Sequence, residues 1–203
     1  MFNPIQRQES FKSSRKIAKN PTSKTLSVTV KWPHPKSYKA NPSTLADAGF
    51  YWNPNSTAKD NVSCFFCEEN FSDWEVHFDP HVIHYDRCGE SCAWAIARCG
   101  VFAVDSDPNQ KFRMGNDPDR LPCGKFLENH RYTIFVHGDW PHDKTKGHKV
   151  TSRKMAGAGF IFTPHETGDD TAKCPYCGIE LSGWDPDDDP VYAPPIYIQL
   201  CLC

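Results

Sequence analysis

Short apolar runs, broken by Pro, Gly and Asn, alternate along the chain with polar loops. Phe50-Tyr51-Trp52 and residues 62–66 (VSCFF) read as strands, with Pro-Asn-Ser between them as a hairpin loop. Phe160-Ile161-Phe162 and Thr171-Ala172-Lys173 read the same way around Pro-His-Glu-Thr-Gly. Residues 42–48 (PSTLADA) predict a short helix, opened by Pro42 after Asn41 and ended by Gly49. Beyond Asp79-Pro80, the segments HVIHYD and CAWAIARC predict two more short helices, with Pro80 in a first-turn position.

The pattern occurs twice. At an offset of 110, LADAGFYWNP (45–54) lies over MAGAGFIFTP (155–164). With a one-residue slip, DNVSCFFCEENFSDWEVHFDP (60–80) lies over DDTAKCPYCGIELSGWDPDDDP (169–190), and Trp32-Pro33-His34 matches Trp140-Pro141-His142. Self-similarity of this kind means two modules of about 80 to 90 residues. They are assigned to residues 5–100 and 126–203, the second with an atypical tail at 191–203. Residues 101–125 join them as a linker, because their Pro, Asp, Asn and Gly favour turns over periodic structure. Each module reads as α+β: a short three-stranded antiparallel sheet with short helices around it. So small a unit buries too little apolar surface to stand alone, so a zinc staple is expected.

Ten cysteines in 203 residues supply the candidates. The first residues lack the apolar stretch of an export signal, which makes metal binding the expected use of the cysteines rather than a disulfide framework. Two C-x-x-C knuckles stand out, Cys64/Cys67 and Cys174/Cys177. In module one His84 follows Cys67 after 16 residues and Cys92 after seven more, giving a Cys3His set. His77 and His81 compete with His84, and Cys88 with Cys92; Cys92 is preferred because it heads the apolar segment CAWAIA. Cys99 and Cys123 read as ordinary structural cysteines. A four-ligand zinc leaves no open position for water or substrate. No G-x-S-x-G, P-loop or H-E-x-x-H occurs, so no catalytic residues, no small-molecule substrate and no enzymatic activity are expected. No 18-residue apolar run and no lipidation signal point to a membrane; the terminal Cys201-Leu202-Cys203 does not fit C-a-a-X.

Net charge is −2, unevenly spread. Residues 1–40 carry nine Lys/Arg against Glu9, while residues 161–203 carry eight Asp/Glu against Lys173. The basic arm suits nucleic acid or an acidic partner, the acidic end a cationic ligand. The near-neutral balance, with the aromatics committed to cores, weighs against nucleic-acid binding as the main role.

The pattern GF-x(9–13)-C-x-x-C-x(6)-W-x(3–4)-DP-x(3)-H-x(6–8)-C, preceded by Trp-Pro, resembles the baculovirus IAP repeat, or BIR domain. WPHP, WPHD, AGF, DNVSCFFC and CAWAI make the chain most similar to fungal survivin-like proteins. Arg7-Gln-Glu-Ser-Phe11 and Arg131-Tyr-Thr-Ile-Phe135 look like the family's opening signature, and residues 12–30 are an expansion of it. The resemblance implies one zinc on Cys64, Cys67, His84 and Cys92, and a damaged second site on Cys174, Cys177 and Cys201. There Pro194 stands where His84 aligns, and Pro195 follows it. It also implies a groove that takes a free protein N-terminus by strand addition. Leu181 and Ser182 would be its strand edge, Trp184 its wall, and Asp187 and Asp188 the carboxylates for the ammonium. Module one keeps Asp73 and Trp74 but has Phe78 where Asp188 aligns, so it is the poorer groove; Glu68 and Glu69 are the nearest substitutes. The implied function is a chromosomal-passenger adaptor in the nucleus, on chromosome, centromere and spindle, with the cytoplasm as the alternative. Its implied partners are a histone tail and an Aurora kinase with its scaffold. A caspase or IAP-antagonist binder and a zinc-finger nucleic-acid binder are the competing readings.

Overall fold

The computed structural model describes residues 2–22, 26–101 and 123–192. Most of the expected linker, and the tail with Pro194, Pro195, Cys201 and Cys203, lie outside these residues.

The chain opens with a helix that the apolar pattern did not foresee, α1 (Pro4–Ser10). Its Asn3 side chain accepts the Ile5 and Gln6 N–H groups, satisfying two of the donors that a helix start leaves unpaired. The expansion at 12–30 is a two-stranded hairpin, β1 (Arg15–Ala18) against β2 (Ser27–Val30). Then comes α2 (Pro42–Asp47), whose N-terminus is a reciprocal cap between Asn41 and Thr44. A three-stranded sheet follows, of β3 (Phe50–Trp52), β4 (Val62–Cys64) and β5 (Asn70–Phe71), in that order. β4 stops at Cys64, short of the expected Phe66, because residues 65–67 turn back, with the Glu68 N–H closing on the Cys64 carbonyl at 3.1 Å. α3 (Pro80–Cys88) starts on the Asp79 side chain. The last helix of this half, residues 93–101, is not regular: Ala95–Cys99 are wound as a π-helical turn.

The second half repeats the scheme with α4 (Lys125–His137), a 3-10 turn at Pro141–Lys144, and α5 (Ser152–Gly157). Its sheet runs β6 (Ile161–Phe162), β7 (Ala172–Lys173), β8 (Glu180–Leu181), with β8 at the edge. α4 begins at Lys125, the last residue of the expected linker. No helix of the described residues is long and apolar enough to cross a membrane.

Two buried arginines do equivalent work in the halves. Arg7 Nε donates to the Ala46 carbonyl at 2.9 Å and Arg131 Nε to the Ala156 carbonyl at 2.8 Å, each a carbonyl in the last turn of a short helix. One apolar core runs through both halves, with Trp52, Trp94 and Trp140 almost fully buried. Phe2 bridges them, its ring 4.9 Å from Phe65 and 5.6 Å from Phe162. Arg98, on the π-helical turn, donates to both carboxylate oxygens of Asp47 at 2.6 and 2.8 Å, and to the Pro175 carbonyl of the second half at 3.5 Å.

Candidate metal centre and peptide face

Four side chains from three places converge in the first half. Cys64 ends β4, Cys67 closes the knuckle after it, His84 comes from α3 and Cys92 from the approach to the last helix. Their donor atoms all lie within 4.8 Å of one another, and Cys67 Sγ is 3.8 Å from His84 Nε2. A tetrahedral zinc with its usual bond lengths holds S and N donors about 3.6–3.8 Å apart, so this set fits that ion. The surroundings fit it too. His84 Nδ1 donates to the Ala48 carbonyl at 2.8 Å, which turns the lone pair of Nε2 toward the thiols. The N–H of Phe66 points to Cys64 Sγ at 3.3 Å and that of Ala95 to Cys92 Sγ at 3.4 Å, donors that favour thiolates. Hydrogen bonds with Cys64 and Cys92 draw the Cys67 thiol far below its ordinary range, while Cys64 and Cys67 drive Cys92 up. A thiolate favoured at Cys67, with two more sulfurs and an imidazole nitrogen around it, is a donor set that a divalent cation would complete.

The competing ligands point elsewhere. His81 Nε2 bonds Asp47 at 2.8 Å, and His77 is exposed beside Glu75. Cys88 is buried outside the cluster. Cys99 is buried behind it, its Sγ against the Ala48 carbonyl at 3.5 Å, and burial raises its pKa. Cys123 is exposed, unlike a core cysteine.

In the second half the knuckle has the same backbone form. The Cys174 N–H donates to the Ile179 carbonyl and the Gly178 N–H to Cys174, as Cys64 does with Glu69, and Glu68 with Cys64. Cys174 is buried and Cys177 exposed. Among the described residues no further ligand gathers on them, and Cys201 lies outside those residues.

The five groove candidates lie on β8 and the turn after it. Leu181 is half-buried on the edge strand, Ser182 is exposed, and Trp184 is buried against Phe160 with ring centres 5.7 Å apart. Its indole N–H finds no acceptor among the described residues. Asp187 is paired with Lys149 at 2.8 Å on the surface. Asp188 is half-buried and spends Oδ2 on the Asp185 N–H at 2.8 Å.

The residues that hold this turn in place are two carboxylates outside the expected ligand and groove sets. Asp170 accepts the Gly183 N–H at 2.7 Å, the Trp184 N–H at 2.8 Å and His142 Nε2 at 2.9 Å. Asp60 accepts the Trp74 N–H at 2.9 Å and His34 Nε2 at 3.0 Å. Burial opposes their ionisation, but these hydrogen bonds prevail and lower both carboxyls below the ordinary 3.8. The signal was available: both aspartates repeat at offset 110 and both Trp-Pro-His triplets repeat with them.

The chain matches the Inhibitor of Apoptosis domain family, BIR, over residues 7–96 and 131–201. It is 35% identical over 168 residues to chromosomal passenger complex protein bir1 of Schizosaccharomyces pombe, which covers 79% of this chain and 15% of that protein. It is 42% identical over 66 residues to baculoviral IAP repeat-containing protein 5 of Cavia porcellus, covering 32% of this chain and 44% of that one. With baculoviral IAP repeat-containing protein 5.1 of Xenopus tropicalis it shares 50% over 71 residues, covering 35% and 43%. The aligned part spans less than half the length of each of these relatives.

Proposed function

Because the chain belongs to the BIR family, we propose that it is a non-catalytic, zinc-stapled adaptor whose second repeat takes the free N-terminus of a partner protein. The zinc is structural and sits on Cys64, Cys67, His84 and Cys92, with no position left for water or substrate. The second repeat carries a damaged counterpart of this site on Cys174 and Cys177 with Cys201, and the chain divides into repeats at 5–100 and 126–203.

The observation that carries the binding role is β8, an edge strand with unpaired backbone groups beside Trp184 and Asp188. An extended peptide adds to such an edge through main-chain hydrogen bonds. Its ammonium meets Asp188, which keeps Oδ1 for a charge-assisted bond. Likeness to a chromosomal passenger complex protein over 79% of the chain supports a survivin-like role in chromosome segregation. In that role a histone tail is the ligand, Aurora kinase with its scaffold is the assembly, and the nucleus is the place.

Calorimetry with peptides beginning in Ala tests the reading. A histone-tail peptide should bind, and acetylating its amine should abolish binding, as should Asp188→Asn to within an order of magnitude. Equal binding of free and acetylated peptides overturns the groove. Preference for a caspase-antagonist peptide over the histone tail transfers the adaptor to apoptosis control.

A further inference from the structure

Residues 10–46 carry eight Lys/Arg and no carboxylate, and the fold gathers four of them on the extra hairpin. Pairing Arg15 with Val30, Lys16 with Thr29, Ile17 with Val28 and Ala18 with Ser27 gives the hairpin two unlike faces. Val30 is buried and Ile17 half-buried, and these two pack that face on the core, while Val28 on it is exposed. Lys16, Ala18, Ser27 and Thr29 form the other face, and every one of them is exposed. Lys31, one residue beyond Val30, joins Lys16 on the outer face, while Arg15 and Lys19 alternate onto the side of Ile17 at the open end and the turn end of the ladder; all three are exposed. Among the described residues none of Arg15, Lys16, Lys19 and Lys31 has an ionic partner, whereas Lys12 is paired with Glu9.

From this arrangement we propose that the β1–β2 hairpin is a docking surface for duplex DNA, contacted through its phosphates and without sequence preference. Cations framing Ser and Thr hydroxyls are the donors that phosphate oxygens take. An acidic protein partner would want an aromatic or aliphatic anchor in a pocket, and this face offers none. The ladder is four residue pairs long with both outer edges open, a two-stranded ribbon of the size that B-DNA's major groove admits. The deep, narrow major groove of duplex RNA does not admit it. This surface is separate from the peptide face and does not depend on it.

The test is fluorescence anisotropy of a labelled DNA duplex with the full, zinc-loaded chain over a salt series. Four phosphate contacts predict a slope of log K against log salt of about −3.6, an affinity loss of about 150-fold between 50 and 200 mM. Lys16→Glu with Lys31→Glu should weaken binding more than tenfold at low salt and flatten the slope by about 1.8. Lys146→Glu with Lys154→Glu makes the same change in net charge on exposed sites of the second repeat and should do neither. Circular dichroism of both variants checks that the fold is kept. Equal loss in the two double variants overturns the proposal by reducing it to net charge, and an unchanged hairpin variant overturns it outright. Tighter binding to polyglutamate or to duplex RNA than to DNA overturns the choice of partner.

Discussion

Gly49 lies between α2 and β3 with φ of +99°, so an alanine there carries backbone strain of about 1–3 kcal/mol. Space is also lacking. A Cβ at Gly49 would stand 2.7 Å from Cδ1 and 2.8 Å from Nε1 of Trp94, a ring only 2% exposed and held edge-on by Phe65 at 4.9 Å. Forcing extra volume into such packing costs about 1–3 kcal/mol more. Gly49→Ala is therefore expected to lose about 2–6 kcal/mol in urea unfolding, or about 4–24 °C in melting temperature for a chain of this size. Gly147 makes the control, because its φ is +85° and a Cβ there meets nothing within 4 Å. Gly147→Ala should lose only the strain, about 1–2 kcal/mol. The metal should notice the first change and ignore the second. Gly49 accepts the N–H of Phe65 in the knuckle, and Ala48, next to it, accepts His84 Nδ1. A chelator competition should show zinc held more weakly in Gly49→Ala alone. Equal losses from both variants would refute the packing argument; a neutral Gly49→Ala would refute both halves of it.

Cys67→Ala should release the first-repeat zinc and unfold that repeat, since such a site contributes on the order of 10 kcal/mol; native circular dichroism with retained zinc would contradict this. Native mass spectrometry of the unmodified chain should find at least one zinc, and two would assign the second to Cys174 and Cys177. Asp60 and Asp170 have lowered pKa values, so the stability they contribute is complete above the unfolded carboxylate value of 3.8 and drains away as pH falls through the folded one. Unfolding free energy should therefore fall steeply below about pH 4, and Asp170→Asn should flatten that fall while weakening peptide binding. A pH profile unchanged by the substitution would remove these carboxylates from the account.

What was legible in the chain was whatever repeats or spaces itself locally. The knuckles, the Trp-Pro-His triplets and the helix at 42–48 are written in adjacent residues, so α2, β3 and β6 could be placed to within a residue. His84 and Cys92 were separable from their rivals only by weak arguments, because ligand choice depends on where α3 points. In the structure Asp47 draws His81 away from the cluster, a contact across 34 residues that no spacing rule encodes. α1 and α4 were missed because their buried faces are interrupted by Arg7 and Arg131, polar in sequence but satisfied by carbonyls of a distant helix. The basic hairpin reads only as charge in the sequence, since its alternation is built from Lys, Ser and Thr around just two inward apolar residues, Ile17 and Val30.

The π-helical turn at Ala95–Cys99 makes chain length itself a variable. Such a turn holds one residue more than an α-helical one. Deleting a residue from 95–97 would restore ordinary winding, and because the wide turn had absorbed the extra residue, the helix beyond it would keep its facing. Cys92 lies before the turn and would stay on the metal, while Arg98 would keep its side toward Asp47 and the Pro175 carbonyl. The chain can therefore gain or lose one residue at this turn without displacing either the metal ligands before it or the joint between the halves after it.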